Sequence, residues 1–287
     1  MMRLAYVDGR LVPLSEAKVS ILDRGFQFAD AIYEVWAVMD GRLADAEGHF
    51  ARLWRSLGEL RITPPMSEPA LRIVLSELVR RNRVVNGLAY LQITRGAAPR
   101  EHVFPTPAPR PMLVMTASPV DLQAQERRAA QGIAVITQPE TRWARCDIKS
   151  TALLPNVLAK QAAREVGASE VWFVDELGLV TEGGSSSAWI IDAAGALRTR
   201  DLQANILRGV TRGTLLEVAK AAGLKFEERA FTAAEARGAR EAFITGAGSL
   251  LTPVVRIDGA AIGDGAPGPV AKRLRQLYIE EARRRAA

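Results

Sequence analysis

The 287-residue sequence predicts a mixed α and β protein of two domains. Three observations carry this expectation. The chain is longer than one hydrophobic core usually organises. Alternating, strand-like runs outnumber runs with helical spacing, and most are joined by short turns. The pattern also pauses at SPVDLQAQE (118–126) and then restarts, which places a connection at 119–126 between a domain at 1–118 and another at 127–287.

LAYVDG and RLVPL open the chain as a strand pair turning at Asp8-Gly9. AIYEVWAVMDGRLA follows as further strand, with a second hairpin signal at Asp40-Gly41. Phe50, Leu53, Trp54, Leu57 and Leu60 recur at helical spacing, so a helix is expected over about 46–60. Leu71, Val74, Leu75, Leu78 and Val79 predict another over about 67–83. LAYLQITRG (88–96) reads as a strand, then AAPREHVFPTPAPRP as a proline-rich loop, then MLVMTA as a strand. Loops of that length are usually functional or disordered. Beyond the connection the expected order is strand (133–138), short strand (RCDIK), helix (153–166), and the strands EVWFVD and SSAWIID. A helix at about 211–222, the strands FEERAF, EAFITG and LTPVVRIDG, and a helix from about 269 complete the chain.

A hydrophobic content of 48% with 24% charged residues is ordinary for a globular protein. The net charge of +6 suggests nucleic acid, but the arginines are scattered and no basic run exceeds RRR at 283–285. Few aromatics lie among them to stack bases, so no nucleic-acid partner is expected, while anionic small substrates remain compatible. The single cysteine, Cys146, excludes an intramolecular disulfide, and with only His49 and His102 as histidines no metal site is expected. No apolar run approaches about 18 residues, so no membrane span is expected. The first residues lack a signal-peptide core, and the expected compartment is the cytoplasm.

The chemistry begins with a residue count. Lysine occurs only at 18, 149, 160, 220, 225 and 272, while arginine supplies the remaining basic residues. Lysine can lose its proton and attack a carbonyl, which arginine cannot do. Lys149 sits in RCDIKSTALLPNVLAK between Ile148 and Ser150-Thr151. Taken alone it reads as a surface lysine at a strand end. In VTEGGSSSAWII, Glu182 ends an apolar run ahead of glycines and serines, which suits either a hairpin or a backbone that approaches a ligand closely. In RGVTRGTLLEVAK, Thr211 stands at a helix start behind Gly209, an ordinary cap position and also the kind of terminus that binds phosphate. It contains no G-K-[ST], so it is not a nucleotide P-loop.

Together RCDIKSTALLPNVLAKQ, VTEGGSSSAWII, ILRGVTRGTLL and DRGFQFADAIYEV resemble the fold-type IV, pyridoxal-phosphate-dependent aminotransferases, and within them the D-amino-acid aminotransferases. The likeness runs from about Tyr6 to the C-terminal helix. It implies a smaller N-terminal α/β sandwich, a larger C-terminal pseudo-barrel, and a homodimer with shared sites. It implies that Lys149 carries pyridoxal phosphate as a Schiff base and shuttles the α-proton. Glu182 matches the carboxylate that keeps the pyridine nitrogen protonated. Arg52, Val210 and Thr211 match the donors to the cofactor phosphate, and Arg142 a residue near its phenolic oxygen. Tyr33, with Arg100 and His102 of TRGAAPREHVFP, matches the residues that bind the substrate carboxylate, the loop reaching into the partner's site. The implied reaction moves the amino group of a D-amino acid such as D-alanine to a 2-oxo acid such as 2-oxoglutarate. A branched-chain L-aminotransferase, an (R)-selective amine transaminase and an aminodeoxychorismate lyase of the same fold stay open as alternatives.

Three departures accompany the likeness. Gly184 and Ser187 replace a serine and an asparagine, which predicts lost side-chain contacts near the cofactor. Gly246-Ala247-Gly248 stands where hydroxyl residues are usual, which predicts a roomier pocket. Phe26 stands where a tyrosine is common.

Overall fold

The computed structural model describes residues 3–202 and 206–286. It divides into two compact units. The first holds the chain up to Val120 together with Ile148–Ala152 and the residues from Arg285; the second holds Asp121–Asp147 and Leu153–Arg284.

The first unit runs β1 (Leu4–Val7), β2 (Arg10–Pro13), α1 (Arg24–Phe28), β3 (Ala31–Met39), β4 (Arg42–Leu43), α2 (Ala46–Glu59), α3 (Glu68–Arg81), β5 (Gly87–Thr94) and β6 (Met112–Pro119). The strands form one sheet in the order β2-β1-β6-β5-β3-β4. β3 and β5 pair antiparallel from Ala31↔Thr94 to Val38↔Gly87, which fixes the facing of every side chain on them. Ile32, Trp36, Leu91 and Ile93 point to the side covered by Phe50, Leu53 and Leu57 of α2 and Leu71, Leu75 and Leu78 of α3. Each such fully buried side chain contributes about 1.5–3 kcal/mol, so this face holds the unit together. On the other face, Tyr33, Val35, Tyr90 and Gln92 are half-buried. The segment carrying Lys149 is tied to this unit through its backbone. Tyr33 N donates to Lys149 O (3.0 Å), Thr151 N to Ala31 O (3.1 Å) and Lys149 N to Ser56 Oγ (3.3 Å).

The second unit runs α4 (Leu122–Gln131), β7 (Ile133–Pro139), α5 (Leu154–Glu165), β8 (Glu170–Val174), β9 (Val180–Gly183), β10 (Ser187–Ile191), β11 (Leu197–Thr199), α6 (Val210–Ala221), β12 (Phe226–Glu228), α7 (Ala233–Arg237), β13 (Glu241–Gly246), β14 (Leu250–Ile257), β15 (Ala260–Ala261) and α8 (Pro269–Arg284). Its sheet has the order β12-β11-β10-β13-β14-β7-β8-β9, with β15 paired to β14. Trp172, Val180, Ile190, Phe231, Ile244, Val254 and Ile257 lie in its core.

Several sequence expectations differ from these elements. The stretch at 119–126 is not a free linker: Asp121 Oδ1 accepts from Ala124 N (2.9 Å) and caps α4, which starts at Leu122. RCDIK forms no strand, because Arg145 folds onto Asp147 (2.9 Å) and the Cys146 thiol donates to Trp143 O (3.0 Å). Just after it, Ser150 forms an isolated bridge to Ile32. Residues 127–287 are therefore not one contiguous body; the Lys149 segment groups with the first unit.

Candidate active site

In the first unit β3 and the returning segment bring Lys149 and Tyr33 together. The Lys149 ammonium lies 4.2 Å from the Tyr33 ring centroid, and that ring stacks on Tyr90 at 5.8 Å. Burial and the neighbouring Tyr33 push the Tyr90 phenol up to about 12, so it stays protonated and donates to Gln92 Oε1 (2.7 Å).

Arg52 is not the solvated charge that its helix position suggests. Its side chain is 8% exposed and lies on Glu34, which is fully enclosed. Nε donates to Glu34 Oε2 (2.9 Å) and Nη2 to Oε1 (2.5 Å), while His49 Nδ1 lies 3.0 Å from the same Oε1. Burial opposes the Glu34 charge, but Arg52 and then His49 outweigh it and hold the carboxyl well below the usual range. Burial pushes His49 below its ordinary value against the pull of Glu34. The trio therefore reads as carboxylate, neutral imidazole donating from Nδ1, and guanidinium. It fixes the plane of the Arg52 fork.

Arg100 and His102 lie on the exposed loop between β5 and β6, and both meet Phe28. The Arg100 guanidinium is 5.0 Å from the Phe28 ring centroid, and the His102 ring 5.4 Å. The loop is thus docked on α1 rather than left to solvent.

In the second unit Glu182 lies in β9 and is 6% exposed. Arg142 Nη1 donates to Glu182 Oε1 (2.5 Å), and Leu207 N approaches both carboxylate oxygens at 3.2 Å. Glu140 takes the other edge of Arg142, at 2.9 Å from Nε and 2.5 Å from Nη2. Burial works against the Arg142 charge, but its hydrogen bonds to Glu140 and the Glu182 charge raise its pKa. Val210 and buried Thr211 occupy the first turn of α6, whose N-cap, Gly209, makes no side-chain capping bond. The N–H groups there and the helix dipole suit a phosphate. A Cβ at Gly209 would come within 2.8 Å of Ser187 Oγ, so Ser187, the replacement for asparagine, packs against this turn.

Gly184 is likewise enclosed. A Cβ there would stand 2.8 Å from Val171 Cγ1, 3.0 Å from Glu170 Oε1 and 3.0 Å from Lys160 Cγ. Glu170 collects the hydroxyls of Ser185 (3.2 Å) and Ser186 (3.1 Å) and the Lys160 ammonium (3.1 Å), and Asn156 Nδ2 donates to Gly184 O (2.9 Å). At Gly246 the space is not open, because a Cβ would meet Ser185 O and Ser249 Oγ, each at 3.2 Å. The expected extra room is therefore not found at Gly246. Phe26 is 72% exposed.

Over residues 31–257 the sequence matches the family of class IV amino-transferases. It is 41% identical to the D-alanine aminotransferase of Bacillus licheniformis over 93% of each chain. The chain is a class IV aminotransferase. It is also 38% identical to the D-alanine aminotransferase of Staphylococcus haemolyticus, covering 97% of this chain and 99% of that one. Among solved structures it is similar in fold to the Escherichia coli branched-chain amino acid aminotransferase, with a TM-score of 0.91 at 22% identity over 98% of this chain and 95% of that one. The T.th. branched-chain amino acid aminotransferase, solved with pyridoxamine 5'-phosphate, has a TM-score of 0.89 at 28% identity, over 99% and 96%.

In this aminotransferase, Glu34, His49, Glu140 and Glu170 hold candidate site residues or the loop after Glu182, and none of the four stands out in the sequence. One signal is present there. Glu34 alternates with Ile32 and Trp36 at the inward register of β3, where a lone carboxylate requires a partner. His49 and Arg52 lie one helical turn apart on α2 and supply it. Among the described residues no cluster of three or more metal-ligating side chains occurs, and no helix is long and apolar enough to cross a membrane.

Proposed function

We propose that this aminotransferase works with pyridoxal 5'-phosphate and moves the amino group of a D-amino acid such as D-alanine to a 2-oxo acid such as 2-oxoglutarate. The carrying observation is the identity of 41% and 38%, over nearly the whole chain, with D-alanine aminotransferases. The branched-chain enzyme solved with pyridoxamine 5'-phosphate reaches 28%.

The donors fit a phosphorylated pyridine. Buried Arg52 carries a fixed fork, and the first turn of α6 lacks a side-chain cap, both suited to a phosphate. Glu182, anchored by Arg142 and Leu207 N, is suited to hold the ring nitrogen in its protonated form. When bound, the cofactor supplies a carbonyl that takes up the amino group and a ring that accepts carbanion charge. Lys149 Nζ is the amine that would hold that carbonyl between turnovers; it would take the α-proton from the donor in one half-reaction and give a proton to the α-carbon of the new amino acid in the other. Tyr33, Arg100 and His102 bind and orient the substrate carboxylate. Because the protein carries the amino group between the two substrates, the kinetics are ping-pong.

The enzyme works as a homodimer, with the 94–105 loop of one subunit completing its partner's site. Ile21 (76% exposed) and Phe26 (72%) offer apolar surface for that association. With a single cysteine, the cytoplasm is the compartment that suits it. The test is a half-reaction. D-alanine alone should convert the visible cofactor band of the holoenzyme to the pyridoxamine form, and L-leucine should not. Conversion by L-leucine but not D-alanine would assign the branched-chain reading instead.

A further inference from the structure

The loop that carries Arg100 and His102 is itself held by one buried side chain. Arg24, the first residue of α1, is 3% exposed. Its Nη1 donates to Glu101 O (2.5 Å) and its Nη2 to His102 O (3.3 Å), the two carbonyls that follow Arg100. Its Nε donates to Asp30 Oδ2 (2.7 Å). Asp30 also receives Arg95, with Nε at 2.7 Å and Nη2 at 2.9 Å, and Arg95 in turn donates to Leu60 O (2.7 Å) and Arg61 O (3.1 Å). The carboxylate is thus shared by two guanidinium groups. Burial raises its pKa, but Arg95 and Arg24 more than reverse this.

Phe28 completes the arrangement, with the Arg24 guanidinium at 4.9 Å from its ring, Arg100 at 5.0 Å and the His102 ring at 5.4 Å. Further along the loop, Phe104 lies under Arg95 at 3.7 Å. So both ends of the 100–104 segment are clamped to the Arg24–Asp30–Arg95 network, one through carbonyls and one through a ring. A loop of exposed residues has little of its own to fix its conformation, and here the fixing comes from beneath.

We infer that Arg24 is a positioning residue for substrate recognition: seated on Asp30, it holds the Glu101 and His102 carbonyls and so sets where Arg100 and His102 present themselves to a substrate carboxylate. The inference rests on the proposed role of Arg100 and His102. A lysine at position 24 keeps the charge but cannot serve two carbonyls and Asp30 with one planar fork, so it does not replace the arginine.

The experiment compares holoenzyme of Arg24→Met, Arg24→Lys and Arg100→Ala with wild type. D-alanine KM and kcat are measured, together with the rate at which hydroxylamine, an amine without a carboxylate, discharges the visible cofactor band. Tryptic cleavage after Arg100 reports the loop. The expected result is a D-alanine KM raised about tenfold or more in both Arg24 variants, with kcat changing less. Hydroxylamine discharge should be unaltered and cleavage after Arg100 faster. Wild-type KM in the Arg24 variants alongside a raised KM in Arg100→Ala overturns the Arg24 inference alone. Wild-type KM in all three overturns it together with the proposed clamp. A raised KM in the Arg24 variants with none in Arg100→Ala also overturns it, since Arg24 then acts other than through that loop. Slowed hydroxylamine discharge equal to the loss on D-alanine would assign Arg24 a general structural role and would equally overturn it.

Discussion

Replacing Glu34 with glutamine removes one charge from an enclosed trio and leaves the others in place. Glu34 is fully buried and its two oxygens take Arg52 Nε, Arg52 Nη2, His49 Nδ1 and the Val35 amide (3.1 Å). Glutamine keeps one acceptor oxygen and turns the other position into an N–H donor that faces an N–H of Arg52 or His49. The Arg52 guanidinium then loses the Glu34 charge, and breaking such a buried pair costs about 3–5 kcal/mol. For a chain of this size that amounts to a fall in Tm of roughly 6–20 °C, at about 2–4 °C per kcal/mol. The assay is thermal unfolding of the cofactor-free variant beside wild type, with Glu34→Leu/Arg52→Met as a third sample. Removing both partners should recover much of the lost stability, because the Arg52 charge leaves with that of Glu34. The recovered double variant should still bind pyridoxal phosphate weakly, since Arg52 is gone. A Glu34→Gln protein that melts within about 2 °C of wild type would refute this account, because the broken buried pair would then cost under about 1 kcal/mol.

Other consequences follow from the same geometry. His49 titrates below its ordinary value in the folded protein, so on acidification the unfolded chain takes the proton first. Its contribution is complete above about pH 6.5 and declines below, by at most about 1.4 kcal/mol per pH unit. Denaturant unfolding at pH 7 and pH 5 should show wild type losing more stability than His49→Gln; equal losses would remove His49 from the account. Arg100→Ala should raise the KM for D-alanine about 10- to 100-fold through loss of a charge-assisted bond to the carboxylate, measured by steady-state kinetics. Gly184→Ser, which restores the usual family residue, should destabilise by about 1–3 kcal/mol because its Cβ meets Val171, Glu170 and Lys160. A Tm at or above that of wild type would show that α5 yields there.

Elements with strong periodicity are legible in the sequence. The leucine and phenylalanine spacing of α2 and α3 locates both helices to within two residues, and the hairpin signals at Asp8-Gly9 and Asp40-Gly41 lie at turns between strands. Short elements are not legible. α1 has five residues, too few to show a period, yet it seats Arg24 and Phe28 under the loop. α4 reads as a connection because its face is polar and only Ala129 is buried. RCDIK alternates like a strand, but it makes no ladder: Tyr33 N bonds to Lys149 O at its end, and the adjacent Ser150 forms an isolated bridge to Ile32. At the candidate site, the motif residues are recognisable because their types carry chemistry. Of the residues that hold them, Glu34 and Glu170 sit on strands some sixteen to eighteen residues from Arg52 and Ser186, and their partner choice emerges only when the chain is folded. The Gly184 and Gly246 departures read from sequence as lost contacts and gained room. Packing against Lys160, Glu170 and the Ser185 carbonyl shows close fit instead.

In the proposed reaction Lys149 is the residue that holds the cofactor. Reducing the holoenzyme with sodium borohydride, digesting with trypsin and mapping the phosphopyridoxyl label tests it most directly. A modified Lys149 resists trypsin, so one labelled peptide spanning Cys146–Lys160 is expected. A label on any other lysine, or a visible band that borohydride bleaches without marking this peptide, would contradict it.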